Sequence, residues 1–230
     1  MTEGTRLYRE RIYGRYVEAA CAEVAPATIE GLAPRLPYLR RLVREHFPPR
    51  VDAAILDLGC GHGALVALLV EGHPERQVVG IDPDARKIGW AQASVGRNPR
   101  VELIACTIDT LAAERPGTFD CVLIADVLYL LAPAAWGDFL AAARRLLRPG
   151  GLLILKEAEN DGSWRARKAL WQERLMVWLL RRTHSSGAIG FVPRQVLANA
   201  ITAAGFVLDE TTSYAKGYTT PHILFTAHAP

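Results

Sequence analysis

The amino-acid sequence predicts an α/β fold: a doubly wound, mostly parallel seven-stranded sheet, with a helical N-terminal cap and a helical insertion after the fifth strand. Three observations lead there. Short apolar runs alternate with segments of helical period along the chain. The first five runs are almost continuously apolar, as strands buried on both faces are. No crossover helix separates the last two runs, VLDETTSY and HILFTAH, so they pair antiparallel.

The elements follow in order. Residues 1–50 read as the cap. One helix covers Arg6–Ala20 and carries Tyr8, Tyr13 and Tyr16; a second covers Pro37–Phe47 and stops at Pro48-Pro49. VDAAILDLG is the first strand and GALVALLVEG the helix it feeds. Gln77–Asp82 is the second strand, ending on an acid, and ARKIGWAQASV is helical. Val101–Thr107 and Phe119–Val127 are the third and fourth strands. AAWGDFLAAARRLL is a helix, Arg148-Pro149-Gly150-Gly151 a turn, and LLILKE the fifth strand. Residues 158–190 read as the helical insertion. PRQVLANAITAAGF is a last helix with a glycine stop at Gly205.

Length and composition agree with one domain over residues 1–230. Half of the residues are apolar, 22% are charged, and the net charge is +3. That balance is too weakly basic to point to nucleic acid. No run reaches the roughly 18–20 apolar residues of a membrane span. The charged N-terminus has no signal-peptide core, so a cytoplasmic protein is expected. Cys21, Cys60, Cys106 and Cys121 show no ligand or redox spacing and read as small core residues. No metal constellation is visible, so metal-independent chemistry is expected.

The informative segment is Asp57-Leu58-Gly59-Cys60-Gly61-His62-Gly63. It leaves a buried strand, turns tightly and opens a helix, whose N-terminus offers free amide donors. Asp82 ends the next strand, placed to accept hydrogen bonds from ribose hydroxyls. This much also suits a dinucleotide, since Gly59, Gly61 and Ala64 fit the looser G-x-G-x-x-A pattern.

Four ordered motifs narrow the choice. D-L-G-C-G-H-G, VVGIDPD, FDCVLIADVLYLL and LRPGGLLIL together resemble the class I S-adenosylmethionine (SAM)-dependent methyltransferases, small-molecule type, from Ile55 to about Glu157. The resemblance implies a Rossmann-like methyltransferase fold, with SAM as cofactor and S-adenosylhomocysteine as product. It implies that Gly59, Cys60, Gly61 and Gly63 face the methionine part, that Asp57 fixes the loop and the ligand amine, and that Asp82, followed by Pro83, holds the ribose. Thr107 and Ile108 stand where the family has an acid and a small residue facing adenine; Asp109 is close enough to substitute. Ala125 and Asp126 are implied beside the transferable methyl. The His that ends the fourth motif in many relatives is replaced by Leu130, with Tyr129 in the neighbouring slot.

An oxygen acceptor needs its proton taken. The candidate catalytic residues are Glu157, His184 and Tyr129, with Glu159 and His222 as further bases. The stretch 164–182 holds Arg165, Arg167, Lys168, Arg174, Arg181 and Arg182 against Glu173 alone, with Trp164, Trp171 and Trp178 among them. Three readings stay open for it: a lid over the acceptor pocket, a peripheral contact with membrane or a lipid-like acceptor, and a homodimer contact. The expected function is methyl transfer to a small or amphiphilic metabolite, at oxygen. The alternatives are a non-catalytic SAM-binding protein and an NAD(P)-dependent oxidoreductase.

Overall fold

The computed structural model describes residues 53–72, 76–164, 166–168, 170–171, 192–213 and 221–230. The expected N-terminal cap, Cys21, His184 and the greater part of the 164–182 stretch lie outside the described residues. The chain forms two compact units, Met1–Thr107 and Ile108–Pro230.

In the first unit, β1 (Ala54–Leu58), β2 (Gln77–Ile81) and β3 (Val101–Ile104) pair in parallel, with β2 between the other two. Helices α1 (Ala64–Gly72) and α2 (Ala85–Ser94) make the crossovers. The strands bury Ile55, Leu56, Leu58, Val78, Ile81 and Leu103, which is why they read as apolar runs. Asp84 caps α2, accepting from Arg86 N at 3.0 Å. Arg100 donates to Val70 O at 3.3 Å, satisfying a carbonyl in the last turn of α1.

In the second unit, β4 (Phe119–Ala125) pairs in parallel with β5 (Leu147–Ala158). β7 (His222–His228) runs antiparallel to both β5 and β6 (Val207–Ser213). Helices α3 (Ile108–Glu114), α4 (Trp136–Leu146) and α5 (Arg194–Ala203) belong to the same unit. Its core is Phe119, Val122, Leu123, Ile124, Leu140, Leu153, Ile154, Leu155 and Phe225. The seven strands are the mostly parallel sheet expected, with the antiparallel closing pair.

Several boundaries differ. The third strand stops at Ile104, three residues early, and the short helix α3 opens at Ile108, where none was expected. The fourth strand stops at Ala125, because Asp126 takes φ +59° and leaves the ladder. The expected turn Arg148–Gly151 is absorbed into β5 as a bulge: Phe119 faces Leu147, but Cys121 already faces Leu152, and Gly150 supplies φ +71°. The insertion does not begin at 158. Ala158 is still strand, Glu159 bridges to Val192, and helix starts only at Trp164.

Two glycines give opposite expectations for one substitution. At Gly80, a Cβ would stand 2.9 Å from Cys60 Sγ and Leu103 Cδ2 and 3.0 Å from Val66 Cγ2, all buried. At Gly89 inside α2 it would meet nothing within 4 Å among the described residues. Gly80→Ala is expected to destabilise by about 1–3 kcal/mol through overpacking. Gly89→Ala is expected to stabilise by about 1 kcal/mol through helix propensity. Denaturant melts of both variants test this pair.

Candidate functional site

The first unit builds a hydrogen-bonded loop. Past Leu58 the chain turns through Gly59, Gly61 and Gly63 at φ +77°, +55° and +78°, a region side chains rarely adopt. Gly59 N and Cys60 N both donate to Ile81 O, at 2.8 and 2.9 Å. Gly61 N donates to Asp82 Oδ2 at 3.1 Å, and Asp84 N to Asp82 Oδ1 at 2.9 Å. Lys87 Nζ stands 4.0 Å from Oδ2. The buried Asp82 carboxylate therefore ties the loop after β1 to the end of β2. Each of its oxygens keeps further acceptor capacity.

The three glycines have different tasks. At Gly63 a Cβ would meet Val95 Cγ1 at 2.9 Å and Ala91 Cβ at 3.2 Å, so this glycine lets the loop pack on α2 and the turn that follows it. At Gly61 a Cβ would meet nothing within 4 Å among the described residues. That open side lets a ligand approach backbone. Asp57 lies buried beneath, and its Oδ2 finds no partner among the described residues. Burial, with Asp82 nearby, pushes its carboxyl up to about 7. An open glycine, a strand-end acid and an orphan carboxylate oxygen fit a ligand with an amine and a ribose. Cys60 is buried, and burial together with Asp57 and Asp82 pushes its thiol up, so it packs as an apolar group.

The second unit fixes the turn that leaves β4. Asp126 N donates to Lys156 O at 2.9 Å, and both carboxylate oxygens of Asp126 bond to Lys156 Nζ. Val127 N and Leu128 N donate to Glu157 Oε1 at 2.9 and 2.7 Å. Trp136 Nε1, at the start of α4, donates to Leu128 O at 2.9 Å. Lys156 and Glu157 are consecutive on β5, so their side chains leave opposite faces of the sheet. Together they grip three consecutive turn residues. Both are buried. Glu157 Oε2 has no partner among the described residues. Burial first, and Asp126 second, push the Glu157 carboxyl up to about 8, against the Leu128 amide, Lys156 and the Val127 amide.

Other expected site residues fall as follows. Pro83 and Thr107 are exposed, and Ile108 is buried at the first position of α3. Asp109 is exposed and stands 4.0 Å from Arg145. Ala125 is half-buried at the end of β4. Tyr129 packs with Leu170 against Ala158. Glu159 is buried and accepts from Arg194 Nε at 2.7 Å. His222 is half-buried opposite Ala158. Sequence reasoning missed Lys156, and it missed His62, whose ring stacks on Trp90 at 5.1 Å and 9°. Cys60 and Cys121 are buried as expected, and Cys106 is half-buried. Among the described residues no cluster suits a metal ion.

A family model described as a methyltransferase domain matches residues 55–151. The ubiquinone biosynthesis O-methyltransferase of Methylocella silvestris is 30% identical over 191 residues, covering 77% of this chain and 72% of that protein. Its namesake from Sinorhizobium medicae is 28% identical over 186 residues, with the same coverage of 77% and 72%. The chain belongs to the class I SAM-dependent methyltransferases.

The fold of this methyltransferase agrees with solved structures. The apo form of the SAM-dependent methyltransferase SibL superposes with a TM-score of 0.69 at 20% identity, over 99% of this chain and 70% of that one. The Burkholderia thailandensis 1,6-didemethyltoxoflavin-N1-methyltransferase, with S-adenosylhomocysteine bound, gives 0.62 at 21%, over 94% and 88%. SAM is the methyltransferase's cofactor, and the oxidoreductase and non-catalytic alternatives fall away.

Glu157 makes the stability of the methyltransferase depend on pH. The folded chain keeps its proton to about pH 8, whereas the unfolded chain releases it near 4.5. Between those values the folded state binds more protons, so stability falls as pH rises. Asp57 acts in the same sense between 3.8 and about 7. Gln at 157 can still accept both amides and carries no charge to titrate. Thermal melts across this window are expected to show a shallower decline for Glu157→Gln than for the wild type. An equally steep decline would place the titration elsewhere.

Proposed function

We propose that this methyltransferase moves the methyl group to an oxygen atom of a small or amphiphilic metabolite. The observation that carries the reading is the glycine loop tied through Gly61 N to Asp82, with its open face at Gly61. Bound SAM supplies an electrophilic methyl on a sulfonium. The chain's own residues supply position. In this reading Gly59, Cys60, Gly61 and Gly63 present backbone to the methionine end. Asp57 offers Oδ2 to the amine, and Asp82 accepts from the ribose hydroxyls. Positioning of this kind lowers barriers by several kcal/mol without a covalent step.

The choice of oxygen is supported by the names of the relatives, which are O-methyltransferases at 28–30% identity. Glu157 supports it physically. A buried carboxyl pushed up to about 8 is partly deprotonated near neutrality, where a general base works best, and one of its oxygens has no partner among the described residues. Tyr129 is the second candidate in the same unit.

Two measurements test the reading. Calorimetric titration with S-adenosylhomocysteine is expected to show binding that Asp82→Ala weakens roughly ten- to a hundredfold, the range for lost charge-assisted hydrogen bonds. Unchanged affinity would remove Asp82 from the cofactor site. Incubation with SAM and a panel of alkylated phenols, and the matching anilines, is expected to yield methyl ethers by mass spectrometry. Transfer to the anilines alone would replace oxygen by nitrogen.

A further inference from the structure

After β5 the chain passes through two short side-chain turns: Gly162 N donates to Asn160 Oδ1 at 3.2 Å, and Ser163 N to Asp161 Oδ1 at 2.9 Å. Ser163 Oγ accepts from Ala166 N at 3.2 Å and so caps a helix that starts at Trp164. Helical geometry, about 100° per residue, puts Ala166 and Leu170 on one face. It puts Trp164, Arg167, Lys168 and Trp171 on the other.

The two faces behave differently. Ala166 is buried, and Leu170 packs on Ala158 beside Tyr129. Trp164 and Trp171 are 63% and 65% exposed. Arg167 and Lys168 are exposed with them, and Lys168 Nζ lies 5.9 Å from the centre of the Trp164 ring. This inverts the usual amphipathic helix, in which the largest apolar side chains face the core. Among the described residues, Val196 and Val207 are the other exposed large apolar side chains, each a single residue on another element. The seven-residue spacing continues in the sequence to Trp178, and six basic residues accompany one acid over 164–182.

We propose that the face formed by Trp164, Arg167, Lys168 and Trp171 docks on an anionic lipid surface. Trp combines an apolar body with a polar N–H, which suits the boundary between headgroups and acyl chains. Adjacent Lys and Arg are drawn to anionic headgroups. A helix held to the protein by one face and bearing Trp and cations on the other lies flat on such a surface without crossing it. Charge decides against a second copy of the chain, since a twofold contact would press Arg167 and Lys168 against their own equivalents. The proposal holds whichever acceptor is methylated.

The test is co-sedimentation of the full chain with vesicles of phosphatidylcholine alone and of phosphatidylcholine with phosphatidylglycerol. The wild type is expected to sediment with the mixed vesicles and to remain in solution with phosphatidylcholine alone. Both Trp164→Ala/Trp171→Ala and Arg167→Gln/Lys168→Gln are expected to lower the bound fraction about tenfold, from lost interfacial and electrostatic attraction. All four side chains are exposed, so S-adenosylhomocysteine affinity, measured in parallel, is expected to stay at the wild-type value. Three results would overturn the proposal: no binding to mixed vesicles, equal binding to both kinds, or binding that neither double variant reduces. A dimer in gel filtration that Trp164→Ala/Trp171→Ala dissolves would give the face to a second copy and overturn it as well.

Discussion

A parallel strand that ends in a sharp turn leaves backbone amides with no ladder partner, and an unpaired buried amide costs about 1–3 kcal/mol. Each unit of this protein meets that constraint with the same device. A carboxylate at the end of the neighbouring strand accepts the orphan amides. In the first unit Asp82, just past β2, takes Gly61 N from the loop after β1. In the second, Glu157 of β5 takes Val127 N and Leu128 N from the turn after β4. The loops are therefore tied to the strands beside them, which is what a site that works by positioning needs.

Burying carboxylates has its own cost, and the two units offset it differently. In the second unit Lys156 neutralises Asp126, and Glu157 largely keeps its proton near neutrality. The buried cluster thus holds one positive and one negative charge in place of a net excess of anion. The ion pair also holds Asp126 at φ +59°, a conformation that costs a non-glycine residue about 1–3 kcal/mol when nothing supports it. In the first unit the acids have less compensation. Asp57 has an oxygen with no partner among the described residues, and its carboxyl rises to about 7. A positively charged ligand amine there would supply what the protein leaves out.

The first unit's hydrogen-bonded loop was legible in the sequence because its parts are local. D-L-G-C-G-H-G is one continuous turn, and its acid follows at the end of the very next strand. The second unit's was not, because Lys156 and Asp126 are thirty residues apart and only strand pairing brings them together. A signal was nevertheless present. In a sheet covered on both faces, two adjacent charges on an apolar strand cannot both reach solvent, so Lys156-Glu157 had to find partners. The His62–Trp90 stack had no such signal, since neither residue stands out in its own element. Helix α3 was missed because seven residues carry too little periodicity to read.

The same logic explains why the segment after β5 can differ so much in character from the sheet that carries it. Its two ends are pinned to each other. Glu159 bridges to Val192 and accepts from Arg194 at 2.7 Å, Asn160 N donates to Val192 O at 3.1 Å, and Glu159 N donates to Pro221 O at 2.9 Å. Residues between these contacts add to loop-closure entropy only logarithmically with length, so the sheet hardly registers what is placed there. A stretch rich in Trp and Arg is tolerated at that position because β5 has already met the needs of its own backbone on either side. The strand that fixes the β4 turn is thus also the one that frees the following segment to be chosen for what it touches.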